Sequence, residues 1–165
     1  MPSRRCLSTA SVRWKGLFLI TQCTWGGLQT LLGLILYLLH VGSPHDWYHG
    51  CLRTRWKYSS GVSLGLFIFT PYPGLQRPSE LPSAYIRRKD ACARIAVHEF
   101  GHAIQSLMLG PLYLLVIGVP SFTWARSSYF KRKRQTYRIA YTSLWTERWA
   151  NVLGEHWLKE PAIWN

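Results

Sequence analysis

Apolar positions change their spacing along the chain, and each change marks an element. Leu17 to Val41 is rich in apolar residues, but Thr21, Gln22, Thr24, Gly26, Gly27 and Gln29 interrupt its first half. Its longest apolar run, Leu31 to Leu39, is too short to span a bilayer unaided. The segment reads as a signal-anchor or as an anchoring helix pair bending at Gly26-Gly27, with a soluble core helix as the alternative. Near Cys51 the period drops to two. Cys51, Arg53, Arg55 and Lys57 alternate with Leu52, Thr54, Trp56 and Tyr58, which predicts a strand. Ser59-Ser60-Gly61 then supplies a turn, and Val62, Leu64, Leu66 and Ile68 line one face of a second strand. A β-hairpin is expected here. Pro71, Pro73, Gly74, Pro78 and Pro82 make a loop of the chain up to about Ser83.

The helical period returns after Asp90, a plausible N-cap for a helix from Ala91 to Leu109 that stops at Gly110-Pro111. A second apolar stretch, Leu107 to Trp124, is broken by Pro111, Gly118 and Pro120. A basic segment from Arg126 to Arg138 follows and contains Lys131-Arg132-Lys133-Arg134. The last helix is expected from Thr142 or Ser143 to Gly154. These elements predict an α+β class, mainly helical, with one domain over residues 17–158. A basic N-terminal tail (residues 1–16) and a C-terminal tail (159–165) flank it. The apolar segments 17–41 and 107–124 are its candidates for membrane association.

Composition narrows the partners. A chain of 165 residues suits one domain with a real core. Twenty Lys and Arg against seven acids favour an anionic partner, either nucleic acid or a membrane surface. Nine Trp and nine Tyr argue for the membrane, because amphipathic rings gather at the headgroup level. No base-reading motif accompanies the basic cluster, so a nucleic-acid partner is disfavoured. The four cysteines form no C-x-x-C pair and read as free thiols.

The chemistry is concentrated in His98-Glu99-Phe100-Gly101-His102, an HExxH pattern. Two histidines four apart on a helix share a face and can reach one Zn2+. A glutamate beside the first can take a proton from water at the metal. Ile95, Ala96, Phe100, Ala103, Ile104 and Leu107 make the rest of the helix apolar or small, so it should be buried. Burial makes an unpaired Glu99 costly. The alternative is two helix histidines bonded to neighbouring side chains.

A catalytic zinc takes a third protein ligand. The metzincin pattern requires Gly at 105 and His at 108, where this chain has Gln105 and Met108. Site-2-type membrane proteases use a downstream aspartate, but Asp46 and Asp90 both lie upstream. The gluzincin arrangement remains, with a glutamate on a later helix. Glu147 fits best, because Asn151 four residues on can hold a ligand imidazole with its side-chain oxygen. Glu155, His156 and His49 are the other candidate ligands, and an exposed ion pair is the alternative for Glu147. Tyr113, Tyr137, Tyr141 and His156 are candidate donors to a transition-state oxyanion.

The run from His98 to Ser106, with Leu109-Gly110-Pro111-Leu112-Tyr113-Leu114, resembles a bacterial family of small HExxH metallopeptidases. Relatives of that family occur as C-terminal domains of RHS-repeat proteins. Gly118-Val119-Pro120-Ser121, Thr146 to Asn151, and Thr24 to Gly33 resemble it too, so the similarity spans about Thr21 to Gly154. The resemblance implies a zincin-like domain and a metal site, but no particular substrate.

A single ion constrains topology. His98, His102 and Glu147 must lie on one side of any membrane, so the stretch between them dips and returns, lies at the interface or is buried in the protein. Its basic flank places the site at the cytoplasmic face of a bacterial membrane. The expected function is a membrane-associated zinc metallopeptidase acting on a peptide or protein substrate. A non-enzymatic membrane or interaction protein with a structural metal, and a toxin-like effector, are the alternatives.

Overall fold

The computed structural model describes residues 9–75 and 77–164, without the side chains of residues 9–13 and 15. Helix α1 (Thr9–Thr24) begins inside the basic N-terminal stretch, and α2 (Gly27–Leu39) follows it after a turn of 96°. The turn falls at Gly26-Gly27, as expected. A side chain at Gly26 would meet the Gln22 amide, whose oxygen already accepts from Ser106.

Four strands follow: β1 (His45–Tyr48), β2 (Cys51–Trp56), β3 (Val62–Leu64) and β4 (Phe67–Pro71). They form one sheet in the order β1-β2-β4-β3. The β1–β2 hairpin, absent from the periodicity reading, turns through His49-Gly50, both with positive φ (51° and 101°). Such a pair of left-handed residues matches the twist of a two-residue hairpin.

The expected hairpin between β2 and Val62–Ile68 does not form. Gly65, at φ 61°, reverses the chain inside that stretch and splits it into β3 and β4. β4 then enters between β3 and β2 and pairs with β2 in parallel, Leu52 opposite Phe67 and Thr54 opposite Phe69. Gly65 packs on the backbone and hydroxyl of Thr30, which leaves no room for a side chain.

Helix α3 (Pro82–Leu109) starts nine residues before the expected Ala91. Leu81 is extended and Pro82 occupies the first turn, where its missing N–H costs nothing. Asp90 does not cap; it pairs with Arg94 one turn on, at 2.8 Å. The helix is exposed along its first half and buried from Ala96 to Ser106. It ends at Leu109, with Gly110 at φ 52° accepting the reversal that the sequence predicts.

A turn at Gly110–Leu112 and a π-helical stretch Leu114–Gly118 lead into α4 (Val119–Arg126), bent 119° from α3. Helix α5 (Ser128–Tyr137) carries the basic cluster. Helix α6 (Trp145–Leu158) closes the domain and runs four residues past Gly154. The result is a mainly helical α+β domain.

Helix α3 packs against the sheet on one side and α6 on the other. The core joins Phe18, Trp56, Ile68, Phe69, Phe100 and Ile104. Residues 160–164 fold back on α6, where the backbone N–H of Ala162 and the indole N–H of Trp164 donate to Glu155. Among the described residues, Cys23, Cys51 and Cys92 are free thiols.

Candidate metal centre

Two helices supply the site, each with a pair of residues four apart. His98 and His102 project from one face of α3, their rings edge to face with centroids 4.7 Å apart. Glu147 and Asn151 project from the first half of α6. The helices can meet closely because two glycines remove side chains from the crossing. A Cβ on Gly101 would overlap the carbonyl of Ala150, and one on Gly154 would overlap the carbonyl of Val97. The glycine inside His98-Glu99-Phe100-Gly101-His102 is therefore a packing requirement between α3 and α6.

At this crossing, one carboxylate oxygen of Glu147 lies 3.1 Å from Nε2 of His98 and 3.6 Å from Nε2 of His102. The candidate ligand atoms of the three residues all lie within 4.8 Å of one another, and all three side chains are buried. Ligands held tetrahedrally about 2 Å from one ion stand roughly 3.3 Å apart. The two separations from Glu147 bracket that value, so this group can hold a metal ion.

The other nitrogen of each ring is held by an amide. Nδ1 of His98 lies 2.7 Å from Oδ1 of Asn151, and Nδ1 of His102 lies 2.7 Å from Oε1 of Gln105. Both amides are turned so that oxygen faces the ring. The NH2 group of Asn151 donates to the carbonyl of Ile163, and that of Gln105 donates to the carbonyl of Thr146 at 2.9 Å. Each ring must then carry its proton on Nδ1 and donate it to the amide oxygen. This fixes the tautomer from outside the ligand set.

In the neutral form, the Nε2 lone pairs of both rings converge on the same oxygen of Glu147. Three lone pairs meeting in a buried space repel unless protons or a cation lie between them. The donor set, two imidazole nitrogens and one carboxylate, fits a divalent transition metal.

Electrostatics separate the two glutamates. Burial works to raise the Glu147 carboxyl, but when the imidazoles are protonated their hydrogen bonds and charge, from His102 and His98, outweigh it and hold it well below the usual carboxylate range. Its place in the first turn of α6, at the positive end of the helix dipole, acts in the same direction. Burial pushes Glu99 up to about 8, with His98 opposing and Glu147 adding to the rise. Glu99 has no hydrogen-bonding partner among the described residues. The β2–β3 turn covers it, since a side chain at Gly61 would collide with its carboxylate.

The other sequence candidates divide. Tyr141 lies near both glutamates, and its phenol is raised by burial and then by the charges of Glu147 and Glu99. The Tyr113 hydroxyl is buried near both glutamates and donates to the carbonyl of Ser63 at 3.1 Å. Tyr137 and His156 are exposed, on α5 and the last turn of α6, outside the buried group. His49 sits in the β1–β2 turn against Phe100. Glu155 is engaged with Ala162 and Trp164.

Three contributors have no distinct mark in the sequence. Gln105 holds His102. Thr146 lies 3.5 Å from the second Glu147 oxygen and is itself bonded to Ser121 at 2.9 Å. Gly61 covers Glu99. The spacing of Gln105, three after His102, is the one signal that could have pointed to it. No family model, curated protein or solved structure matches the chain, so the site rests on its own geometry.

Proposed function

We propose that the chain is a zinc-dependent hydrolase with a zincin-like centre, a metallopeptidase of gluzincin type. The reading rests on one observation above the rest. Pinned amides on two different helices force both Nε2 lone pairs toward a single Glu147 oxygen. Among the described residues no Lys or Arg pairs with Glu147, so protons on the two imidazoles or a bound cation must balance it. His98, His102 and Glu147 would hold the ion, and Asn151 and Gln105 would orient the imidazoles.

Bound zinc would supply a Lewis acid for a peptide carbonyl and make water more acidic at neutral pH. Glu99 is the proton acceptor in this reading. Its raised affinity for protons suits a group that takes a proton and later returns it to a leaving amine. Tyr113 lies near both glutamates and is the donor best placed for a developing oxyanion, once released from Ser63. Tyr141 lies near Glu147 and positions that ligand. A substrate reaches Glu99 by displacing the Ser59-Ser60-Gly61 turn. The sequence resemblance to small HExxH metallopeptidases supports the same reading.

Glu99→Gln tests it, because the change keeps shape and removes the proton acceptor. The variant should bind zinc as the wild type does and lose peptidase activity on an unstructured protein substrate by about 100-fold or more. Full activity in Glu99→Gln would sink the mechanism. Stoichiometric zinc in His98→Ala or His102→Ala would sink the site. The second reading, a structural metal without catalysis, draws on the closure of the β2–β3 turn over Glu99. It predicts metal binding and no hydrolysis in the wild type.

A further inference from the structure

The α1–α2 pair has its polarity inverted. Gln22, Gln29 and Gly33 are buried, whereas Leu17, Ile20, Leu28, Leu31, Leu38 and Leu39 are each more than half exposed. A helix facing water does the reverse. Polar groups turned inward and leucines turned outward suit hydrocarbon surroundings.

The buried glutamines are bonded to the last turns of α3 and to Gly110 at its end. The Gln22 NH2 donates to the carbonyl of Ala103 at 2.8 Å, and its carbonyl oxygen accepts from Ser106 at 2.9 Å. The Gln29 NH2 donates to the Ser106 hydroxyl at 2.9 Å and to the carbonyl of Gly110 at 3.0 Å. The Trp25 ring lies on Gly110, leaving no space for a side chain there.

These contacts bring together the two bends of the fold, α1 into α2 and α3 toward α4. The result is one apolar tip on which Trp25, Leu28, Met108, Leu112 and Leu115 are each more than half exposed. Among the described residues no single helix is long and apolar enough to cross a membrane, whereas each bent pair has the length and composition to do so as a pair.

Away from the tip the surface becomes basic. The helical stretch Leu114–Arg126, about 20 Å long, separates the tip from α5. Lys131, Arg132 and Lys133 are exposed there, with Arg126 before them and Arg138 after. Trp124 and Tyr129 stand at the same end, a pairing of rings and cations found where protein meets headgroups.

We propose that the paired bends enter the hydrocarbon of an anionic bilayer from one face and return without crossing, while α5 lies among the headgroups. A second copy of the chain could cover the leucines, but the high positive charge would oppose that pairing. An anionic headgroup layer complements it. His102 and His98 lie roughly 10 to 16 Å along α3 from Leu109, so the metal centre sits near the depth of the interface. Its substrates would be met at the membrane surface. The docking inference itself rests on the surface and the buried glutamines, and stands whether or not the site hydrolyses peptides.

The test is flotation of the full chain with vesicles of mixed phosphatidylcholine and phosphatidylserine, and with phosphatidylcholine alone. The chain should float with the mixed vesicles and more weakly with the neutral ones. The pair Leu28→Glu and Leu112→Glu, both on exposed positions, should abolish flotation with either. Replacing Lys131, Arg132 and Lys133 with Gln should weaken binding to mixed vesicles by roughly a hundredfold and leave neutral vesicles unaffected.

Zinc content and circular dichroism are followed in parallel, so a folding defect in the tip variant is visible and the basic variant then decides. A wild-type chain that stays with neither vesicle overturns the proposal. So does a glutamate pair that floats as well as the wild type. Dimers that the glutamate pair dissociates, with no vesicle binding, would assign the face to a second copy instead. Loss of flotation with zinc retained separates this inference from the metal site.

Discussion

Gly101 and Ala150 touch through their backbones: any side chain on Gly101 would occupy the position of the Ala150 carbonyl oxygen. That contact lets Glu147 and Asn151 reach the two histidines of α3, and Gly154 against Val97 repeats it one turn along. The site depends on how closely two helices approach as much as on which residues ligate.

Gly101→Ala is therefore expected to impair metal binding although it touches no ligand. Alanine favours a helix over glycine by about 1 kcal/mol, so on propensity alone the variant would be more stable. Overpacking at the crossing, with a cost of about 1–3 kcal/mol, should outweigh that and leave a net loss of up to about 2 kcal/mol. Zinc content and thermal unfolding, measured together, check both. A variant with raised stability and full zinc would show that α6 is free to shift.

Asn151 serves two neighbours at once. Its oxygen accepts from His98 and its NH2 donates to Ile163, so only an amide fits both. Asn151→Leu should weaken zinc binding by about 10- to 100-fold, the usual cost of losing such a partner. Asn151→Asp keeps an acceptor for His98 but turns a carboxylate oxygen toward the Ile163 carbonyl. It should retain more zinc affinity than the leucine variant while releasing residues 160–164 from α6. Chelator competition reads the first effect, and proteolysis of the C-terminal segment reads the second.

The parts of the site that follow from periodicity are the parts the sequence displays. His98 and His102, and Glu147 and Asn151, are each four apart on a helix. Their pairing needs only two helices to face each other. What escapes periodicity depends on distant contacts. Gly65 looks like one position in a continuing strand until Thr30 is packed against it, and the hairpin reading fails there. Asp90 has the chemistry of a cap, but Pro82 and an extended Leu81 start α3 earlier, inside what reads as a proline-rich loop. Gln22 and Gln29 look like interruptions in an apolar run. In the fold they are the groups that hold the two bends together.

Asp46 carries a pH dependence whose sign can be worked out. A hydrogen bond from Arg53 holds its carboxyl low; partial burial opposes this, and a bond from Arg55 adds to the lowering. A lowered folded-state value means that the stabilisation is present above the ordinary 3.8 and is lost as pH falls through the folded value. Asp46→Asn should lower the unfolding temperature at neutral pH, and the gap should close in acid below the ordinary value. Thermal unfolding across pH provides the check. A gap that persists in acid would assign the effect to packing of β1 on β2.

Gln22 offers the sharpest test of whether the inverted helix pair is held by its buried polar groups. It donates to Ala103 and accepts from Ser106, and leucine can do neither. Gln22→Leu adds apolar character to a segment already rich in it, so on hydrophobicity alone it would be neutral or stabilising. It also leaves the Ser106 hydroxyl without its acceptor and the Ala103 carbonyl without that side-chain donor, in a buried setting. The cost of such losses is about 1–3 kcal/mol. We expect the variant to unfold at lower temperature and to be cleaved faster by protease at Gly26-Gly27, with the Glu99 helix still formed by circular dichroism. Unchanged stability and cleavage would mean that the leucine shell, not the glutamines, keeps the two bends in contact.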